Sequence, residues 1–391
     1  MSLAGRSLIS LWDFTKAEIE TLLSIAERMA EAIGLGGRER RGSFEPMDRI
    51  LATLFFEPST RTRLSFESAM LRLGGQVLGF ADARASSTSK GESLADTCRI
   101  VGGCCDIIVI RHWLMGAAKV AADFSGVPVI NAGDGPHEHP TQTLTDLFAI
   151  KRVKGTLSGL RVGLCGDLKY GRTVHSLAPV MARFGSEIVC IAPKALQIPE
   201  ETLAEVENLS GKRPEATEDL AEALNDLDVL YMTRIQQERF ADRREYERWR
   251  GIYVLTPELM ARAPEDLIVL HPLPRVDEIE PAVDRDPRAR YFEQAHGGVP
   301  LRMALLASLL GLQPAPGPQR RDGLDVQPQP SAVPETAEEV RSRGRQVVEN
   351  APPCRREGCV TEVWDSLPSQ AYVLPDGRQV CAYCERALAE A

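Results

Sequence analysis

No apolar run in this 391-residue chain approaches the roughly 20 residues needed to cross a bilayer as a helix, which excludes a helical membrane protein. A basic excess is missing too: 46 Lys and Arg stand against 55 Asp and Glu, a formal net charge of −9. A general nucleic-acid binder would show the opposite balance. The N-terminal stretch MSLAGRSLISLWDFTKAEIE turns polar and acidic too soon for a secretory signal, so a cytoplasmic protein is expected. Hydrophobic residues at 43% and charged residues at 26% exclude a largely disordered chain. If such an acidic protein handles an anionic metabolite, it must gather its cations at particular points.

What is present is periodic. Expected strands are Ile50–Phe56, Ile107–His112, Val127–Asn131, Arg161–Cys165, Glu187–Ala192, Val229–Thr233 and Leu267–Leu270. Expected helices include Thr15–Ile33, Arg63–Leu73, Ser93–Val101, Thr141–Val153 and Val174–Phe184. This alternation predicts an α/β fold, and its length predicts two doubly wound domains with mainly parallel sheets. The first spans 1–150 and is completed by a helix at about 295–311; the second spans 151–294, after the polar, Gly-bearing boundary Lys151–Gly159. Six prolines between 314 and 334 predict an extended linker, followed by a short charged helix over Glu335–Glu349, so 312–350 joins the body to a last unit, 351–391. That unit is too small to fold on hydrophobic burial alone.

Cysteine usage bears on this. Cys98, Cys104, Cys105, Cys165 and Cys190 are scattered among apolar residues and read as reduced, buried side chains. Cys354-x4-Cys359-x21-Cys381-x2-Cys384 instead forms two close pairs separated by a hairpin-sized insert. Four thiolates suit a tetrahedral structural Zn2+, which would supply the missing folding energy and predicts a small zinc-ribbon-like β domain. Disulfide pairing is the alternative, disfavoured in a cytosolic setting. Nucleic-acid binding by this ribbon is disfavoured by its four Arg, no Lys and six acids.

The densest signal is Phe55-Phe56-Glu57-Pro58-Ser59-Thr60-Arg61-Thr62-Arg63, placed between a strand and a helix whose apolar face is Phe66, Ala69, Met70 and Leu73. Ser59 to Thr62 then sit at a helix N-terminus, where unpaired N–H groups and the helix dipole favour an anion. Three hydroxyls and a guanidinium add donors, the latter able to grip phosphate bidentately. A plain Ser/Thr cap beside a surface Arg is the bland alternative. Gly166-x4-Gly171-Arg172-Thr173 differs from a nucleotide-binding P-loop by Arg where Lys is required, which disfavours nucleotide hydrolysis.

FFEPSTRTRLSFESAMLRLGG resembles the carbamoyl-phosphate signature of the aspartate/ornithine carbamoyltransferase family. His137-Glu138-His139-Pro140-Thr141-Gln142 resembles its HPTQ element, while Gly166–Thr173 and Tyr231–Gln236 resemble elements of its aspartate side. His271-Pro272-Leu273-Pro274-Arg275 resembles the aspartate branch; the ornithine branch carries Cys in an HCLP element. The resemblance covers about residues 5–311, with the motifs in the family's order. It implies transfer of a carbamoyl group from carbamoyl phosphate to L-aspartate, the committed step toward pyrimidines, with no cofactor required for catalysis.

The resemblance also implies roles. Ser59, Thr60, Arg61 and Thr62 bind the phosphate; Arg111, at the end of the strand Ile107–Ile110, contacts phosphate and carbonyl oxygen; His139 and Thr62 donate to that oxygen. Arg61, Thr62, Arg111 and His139 are thus the expected catalytic group. Gln142 and the backbone carbonyls of Pro272 and Leu273 hold the carbamoyl nitrogen. Arg172 and Arg234 pair with the aspartate carboxylates, supported by Gln236, Leu273 and Lys90. Ser86 and Lys90 would reach in from a neighbouring subunit of a homotrimer. The tail, with its Cys-Ala-Tyr-Cys knuckle, resembles the zinc domain of the family's regulatory chain, here fused and able to mediate a larger assembly. Residues Gly311–Asn350 leave no room for that chain's nucleotide-binding domain, so no nucleotide effector site is expected. Two other readings stay open: carbamoyl transfer to ornithine or another amine, disfavoured by HPLPR, Arg172 and Arg234, and a non-enzymatic scaffold.

Overall fold

The structure, a computed structural model, describes residues 2–35, 47–82, 91–235, 240, 242–312, 346–349, 351–352, 354, 356–363, 369–374 and 377–388. Two compact units emerge, the first from 1–18, 42–140 and 302–391, the second from 19–41 and 141–301.

The first unit holds a four-stranded sheet of β1 (Ile50–Phe55), β2 (Gln76–Phe80), β3 (Ile107–His112) and β4 (Val129–Asp134), in the order β2-β1-β3-β4. Every pairing is parallel. β1 and β3 are apolar along nearly their whole length and buried, as strands covered on both faces must be. α1 (Lys16–Ala32) precedes β1 and from Ile19 on belongs to the second unit; the crossovers carry α2 (Thr60–Arg72), α3 (Leu94–Gly102) and α4 (Ala117–Ser125). β3 covers the expected range Ile107–His112, so Arg111 lies within it. Edge strand β2 was not anticipated. Its Gly79 adopts φ +143, and a Cβ there would lie 2.1 Å from the Thr53 carbonyl oxygen. The glycine that interrupts the strand pattern is the residue that close pairing with β1 requires.

The second unit includes α5 (Pro140–Lys154) from Thr141 on and holds a five-stranded parallel sheet. Its strands are β5 (Arg161–Cys165), β6 (Glu187–Ile191), β7 (Glu215–Thr217), β8 (Val229–Met232) and β9 (Ile268–Leu270), in the order β7-β6-β5-β8-β9. α6 (Arg172–Arg183) follows β5 directly. β7 was missed because three residues with one apolar side chain carry no periodicity.

The tail adds an antiparallel sheet to the first unit: β10 (Gln346–Glu349), β11 (Gln370–Val373) and β12 (Gln379–Cys381). The expected helix over Glu335–Glu349 is corrected here for its last four residues. They pair with β11, Val347 opposite Tyr372, because burial of Val347 outweighs the local helical pattern. Residues 313–345, the expected linker and the rest of that helix, lie outside the described residues.

Val347, Val360, Tyr372 and Tyr383 share one apolar core with Leu54, Ile108, Ile110, Met115 and Val120. Two backbone hydrogen bonds join the tail to the body: Met115 N–H to Gly358 O at 2.9 Å and Val360 N–H to Met115 O at 2.8 Å. Gly116 lies beneath them; a Cβ there would come within 2.9 Å of Val360 and 2.7 Å of Tyr383. No helix among the described residues is long and apolar enough to cross a membrane.

Candidate active site

In the first unit the candidate residues follow the C-terminal ends of three adjacent parallel strands, the usual ligand edge of an α/β sheet. After β1 the chain turns through Phe56–Ser59 into α2. Ser59 is the N-cap, yet its hydroxyl makes no capping bond, and the first turn of α2 contains no acid. The positive end of the helix is thus left uncompensated, as an anion seat requires. Thr62 is buried at the start of α2, while Thr60 and Arg61 are exposed. Arg111 pairs in register with Phe55, and its carbonyl accepts from Phe56 N–H at 2.8 Å. Its guanidinium donates to Glu57 Oε1 at 3.0 Å and to the Ala132 carbonyl at 3.3 Å. Among the described residues its Nε is buried without a partner. His139 follows β4 and is buried, directly before Pro140 opens α5. Ser86 and Lys90 lie outside the described residues.

In the second unit, Gly166 ends β5 with φ +119; a Cβ there would sit 2.2 Å from the Thr233 carbonyl oxygen. This close approach of β5 and β8 sends the chain into α6, whose first residue is the half-buried Arg172. α6 also begins with neither a capping side chain nor an acid. Arg234 follows β8, just past Thr233, whose hydroxyl donates to Cys165 O at 2.9 Å. Gln236 lies outside the described residues.

After β9, His271 Nδ1 accepts from Leu273 N–H at 2.7 Å, and its Nε2 lies 2.6 Å from Glu278 Oε1. Because Nδ1 accepts, the ring proton lies on Nε2 and is donated to the glutamate; burial lowers the His271 pKa, with Glu278 opposing. This clamp holds Leu273 in a left-handed conformation, φ +55, which a non-glycine residue adopts only under constraint. The carbonyls of Pro272 and Leu273 are shaped by that turn.

The family model described as "Aspartate/ornithine carbamoyltransferase, carbamoyl-P binding domain" matches residues 6–152, and "Aspartate/ornithine carbamoyltransferase, Asp/Orn binding domain" matches 158–309. The chain belongs to the aspartate/ornithine carbamoyltransferase family. It is 56% identical over 311 residues to the aspartate carbamoyltransferase catalytic subunit of Methanopyrus kandleri, covering 79% of this chain and 99% of that one. Identity to the catalytic subunit of Thermococcus onnurineus is 53% over 313 residues, covering 80% and 99%. The catalytic subunit of M. jannaschii aspartate transcarbamoylase aligns with TM-score 0.72 and 45% identity, over 78% of this chain and 98% of that one. Aspartate transcarbamoylase from Trypanosoma cruzi, solved with carbamoyl phosphate and aspartate, aligns with TM-score 0.73 and 39% identity, over 79% and 98%. The chain is thus a carbamoyltransferase of the family's aspartate branch, a transferase acting on aspartate.

The sequence reading missed the support of this carbamoyltransferase site. Asp146, fully buried, accepts from Gln142 Nε2 at 2.8 Å, from Gln294 Nε2 at 2.6 Å and from the Tyr231 hydroxyl at 2.9 Å. Gln294 Oε1 in turn accepts from His271 N–H at 2.9 Å. One carboxylate therefore fixes both Gln142, with its amide oxygen left over, and the base of the Pro272–Leu273 turn. The only local hint was the four-residue spacing of Gln142 and Asp146 on α5. Asp146→Ala should lower kcat/KM for carbamoyl phosphate about 10- to 100-fold, since several buried donors lose their acceptor at once. Steady-state kinetics at saturating aspartate measures this; an unchanged value would remove Asp146 from the site's support.

The four tail cysteines are buried, free of disulfides, and have their sulfurs within 4.8 Å of one another. Cys354 Sγ and Cys384 Sγ stand 3.7 Å apart. A tetrahedron with Zn–S bonds of roughly 2.3 Å has sulfurs about 3.8 Å apart. The donor set therefore fits zinc.

Proposed function

We propose that the chain uses these residues to join carbamoyl phosphate and L-aspartate into N-carbamoyl-L-aspartate and phosphate, supplying pyrimidine synthesis. Ser59, Thr60, Arg61 and Thr62 hold the phosphate against the start of α2. Arg111, Thr62 and His139 donate to the carbonyl oxygen as the aspartate nitrogen attacks and negative charge builds there. The N–C bond forms, the C–O bond to phosphate breaks, and phosphate departs with the electron pair and takes up the proton that the aspartate nitrogen loses. Gln142 and the Pro272 and Leu273 carbonyls orient the carbamoyl NH2, while Arg172 and Arg234 hold the two aspartate carboxylates, with Gln236 and Lys90 in support. The observation that carries this reading is the acid-free, uncapped start of α2 beside Arg111, whose buried Nε has no partner.

Cys354, Cys359, Cys381 and Cys384 would hold one Zn2+, which supplies folding energy to the tail and no catalytic chemistry. The body 1–311 is read as a carbamoyl-phosphate domain and an aspartate domain, with the tail as the zinc domain. The working unit is a homotrimer in which Ser86 and Lys90 complete a neighbour's site. Exposed Leu64, Leu71, Ile100 and Trp113 on the first unit offer apolar surface for such contacts. A reduced tetrathiolate suits the cytoplasm.

The test is competitive. With carbamoyl phosphate and equal aspartate and ornithine, the protein should form carbamoyl-aspartate and no citrulline. Citrulline would support the ornithine reading, and neither product would support a scaffold.

A further inference from the structure

The tail touches the first unit through more than an apolar surface. Glu385 follows the last cysteine in a left-handed conformation, φ +53, and one of its carboxylate oxygens lies 3.8 Å from His137 Nε2. His137 is buried, with Nδ1 3.0 Å from Asp134 Oδ2. The same Asp134 oxygen accepts from Gly116 N–H at 2.9 Å, and Gly116 is the residue on which Tyr383 and Val360 pack. The other Asp134 oxygen accepts from Asn131 Nδ2 at 3.0 Å and Glu138 N–H at 3.2 Å. The loop is closed by His137 N–H to Asp134 O at 3.1 Å and Asp134 N–H to Glu138 O at 3.3 Å. The next residue is His139.

A single buried carboxylate thus holds a point of tail contact, the histidine facing Glu385, and the loop that delivers His139. Burial opposes a charge on the His137 ring, but Asp134, Glu138 and Glu385 outweigh it and push its pKa up to about 9. Glu138 is pushed up to about 8, first by burial and then by Glu385 and Asp134, with His137 opposing; its carboxylate also accepts from Ser10 Oγ at 3.1 Å. His137 thus lies between the carboxylates of Asp134 and Glu385.

We propose that Glu385 is a positioning residue: by pairing with His137 it makes the seated tail part of the support of His139, so the catalytic loop takes its working geometry only with the tail in place. This rests on the reading of His139 as a donor to the carbonyl oxygen. Neither Glu385 nor His137 touches substrate in that reading; both act through the Asp134 loop.

Steady-state kinetics on the full chain tests it, with metal content and thermal midpoint measured on the same samples. Glu385→Gln should lower kcat about 3- to 10-fold, as residues along a coupling network do, while KM for aspartate, metal content and midpoint stay as in the unsubstituted protein. Glu385→Asp should recover most of the loss. His137→Gln should match Glu385→Gln, and the double variant should lose no more than either alone. An unchanged kcat in Glu385→Gln overturns the proposal. So does a loss of kcat that follows metal content and midpoint, which marks a merely structural role. Full activity in His139→Ala would instead overturn the reading of His139, whatever Glu385→Gln does.

Discussion

Arg61→Ala should lower kcat/KM for carbamoyl phosphate by about 10³-fold and leave the fold intact, because in the proposed site it removes a charged donor to developing and departing negative charge. Arg61 is exposed on the first turn of α2 and its side chain lies outside the buried core, so the substitution leaves packing alone. The helix end still offers its N–H groups, and Ser59, Thr60 and Thr62 still offer hydroxyls, so weak phosphate binding should persist. The loss should therefore appear in kcat as well as KM. Kinetics at varied carbamoyl phosphate, with circular dichroism for the fold, decides it. Near-normal activity would remove Arg61 from the site.

Cys359→Ser should release the metal and unfold the tail. Among the described residues, the tail buries a few large apolar side chains, including Val347, Val360, Tyr372 and Tyr383. A structural zinc supplies on the order of 10 kcal/mol of folding free energy to a unit of this size, far more than that core provides. Loss of the tail would also uncover Met115 and Val120 of the first unit, with which those side chains share a core. Metal analysis should fall from one zinc per chain to none, proteolysis should trim the chain back toward residue 312, and binding of an apolar dye should rise. A metal-free variant whose tail resists protease would contradict the zinc assignment.

Much of the fold was legible because parallel strands covered on both faces write themselves as apolar runs. β3 and β5 match the expected ranges in full. The edges were not legible: β2 is broken by Gly79, and β7 has only three residues. The strand β10 hid inside a charged, helix-like stretch because its reason for being a strand, the pairing of Val347 with Tyr372, lies in another part of the chain. The same distinction holds at the site. Ser59 to Thr62 announce themselves through a strand, a hydroxyl-rich turn and a helix in immediate succession. The groups that hold such residues in place do not. Asp146 meets Gln294, 148 positions away, and Tyr231, 85 away. His137 meets Glu385 from the far end of the chain. No local spacing encodes such pairs.

In the proposed function this acidic chain gathers its scarce cations to bind two anionic substrates. Titration calorimetry with one molecule bearing a phosphonate at one end and two carboxylates at the other tests it most directly. One such molecule should bind per chain, more weakly as salt rises, and both Arg61→Ala and Arg234→Ala should abolish the heat. Binding that survives either substitution, or fails in the unsubstituted protein, would contradict the account.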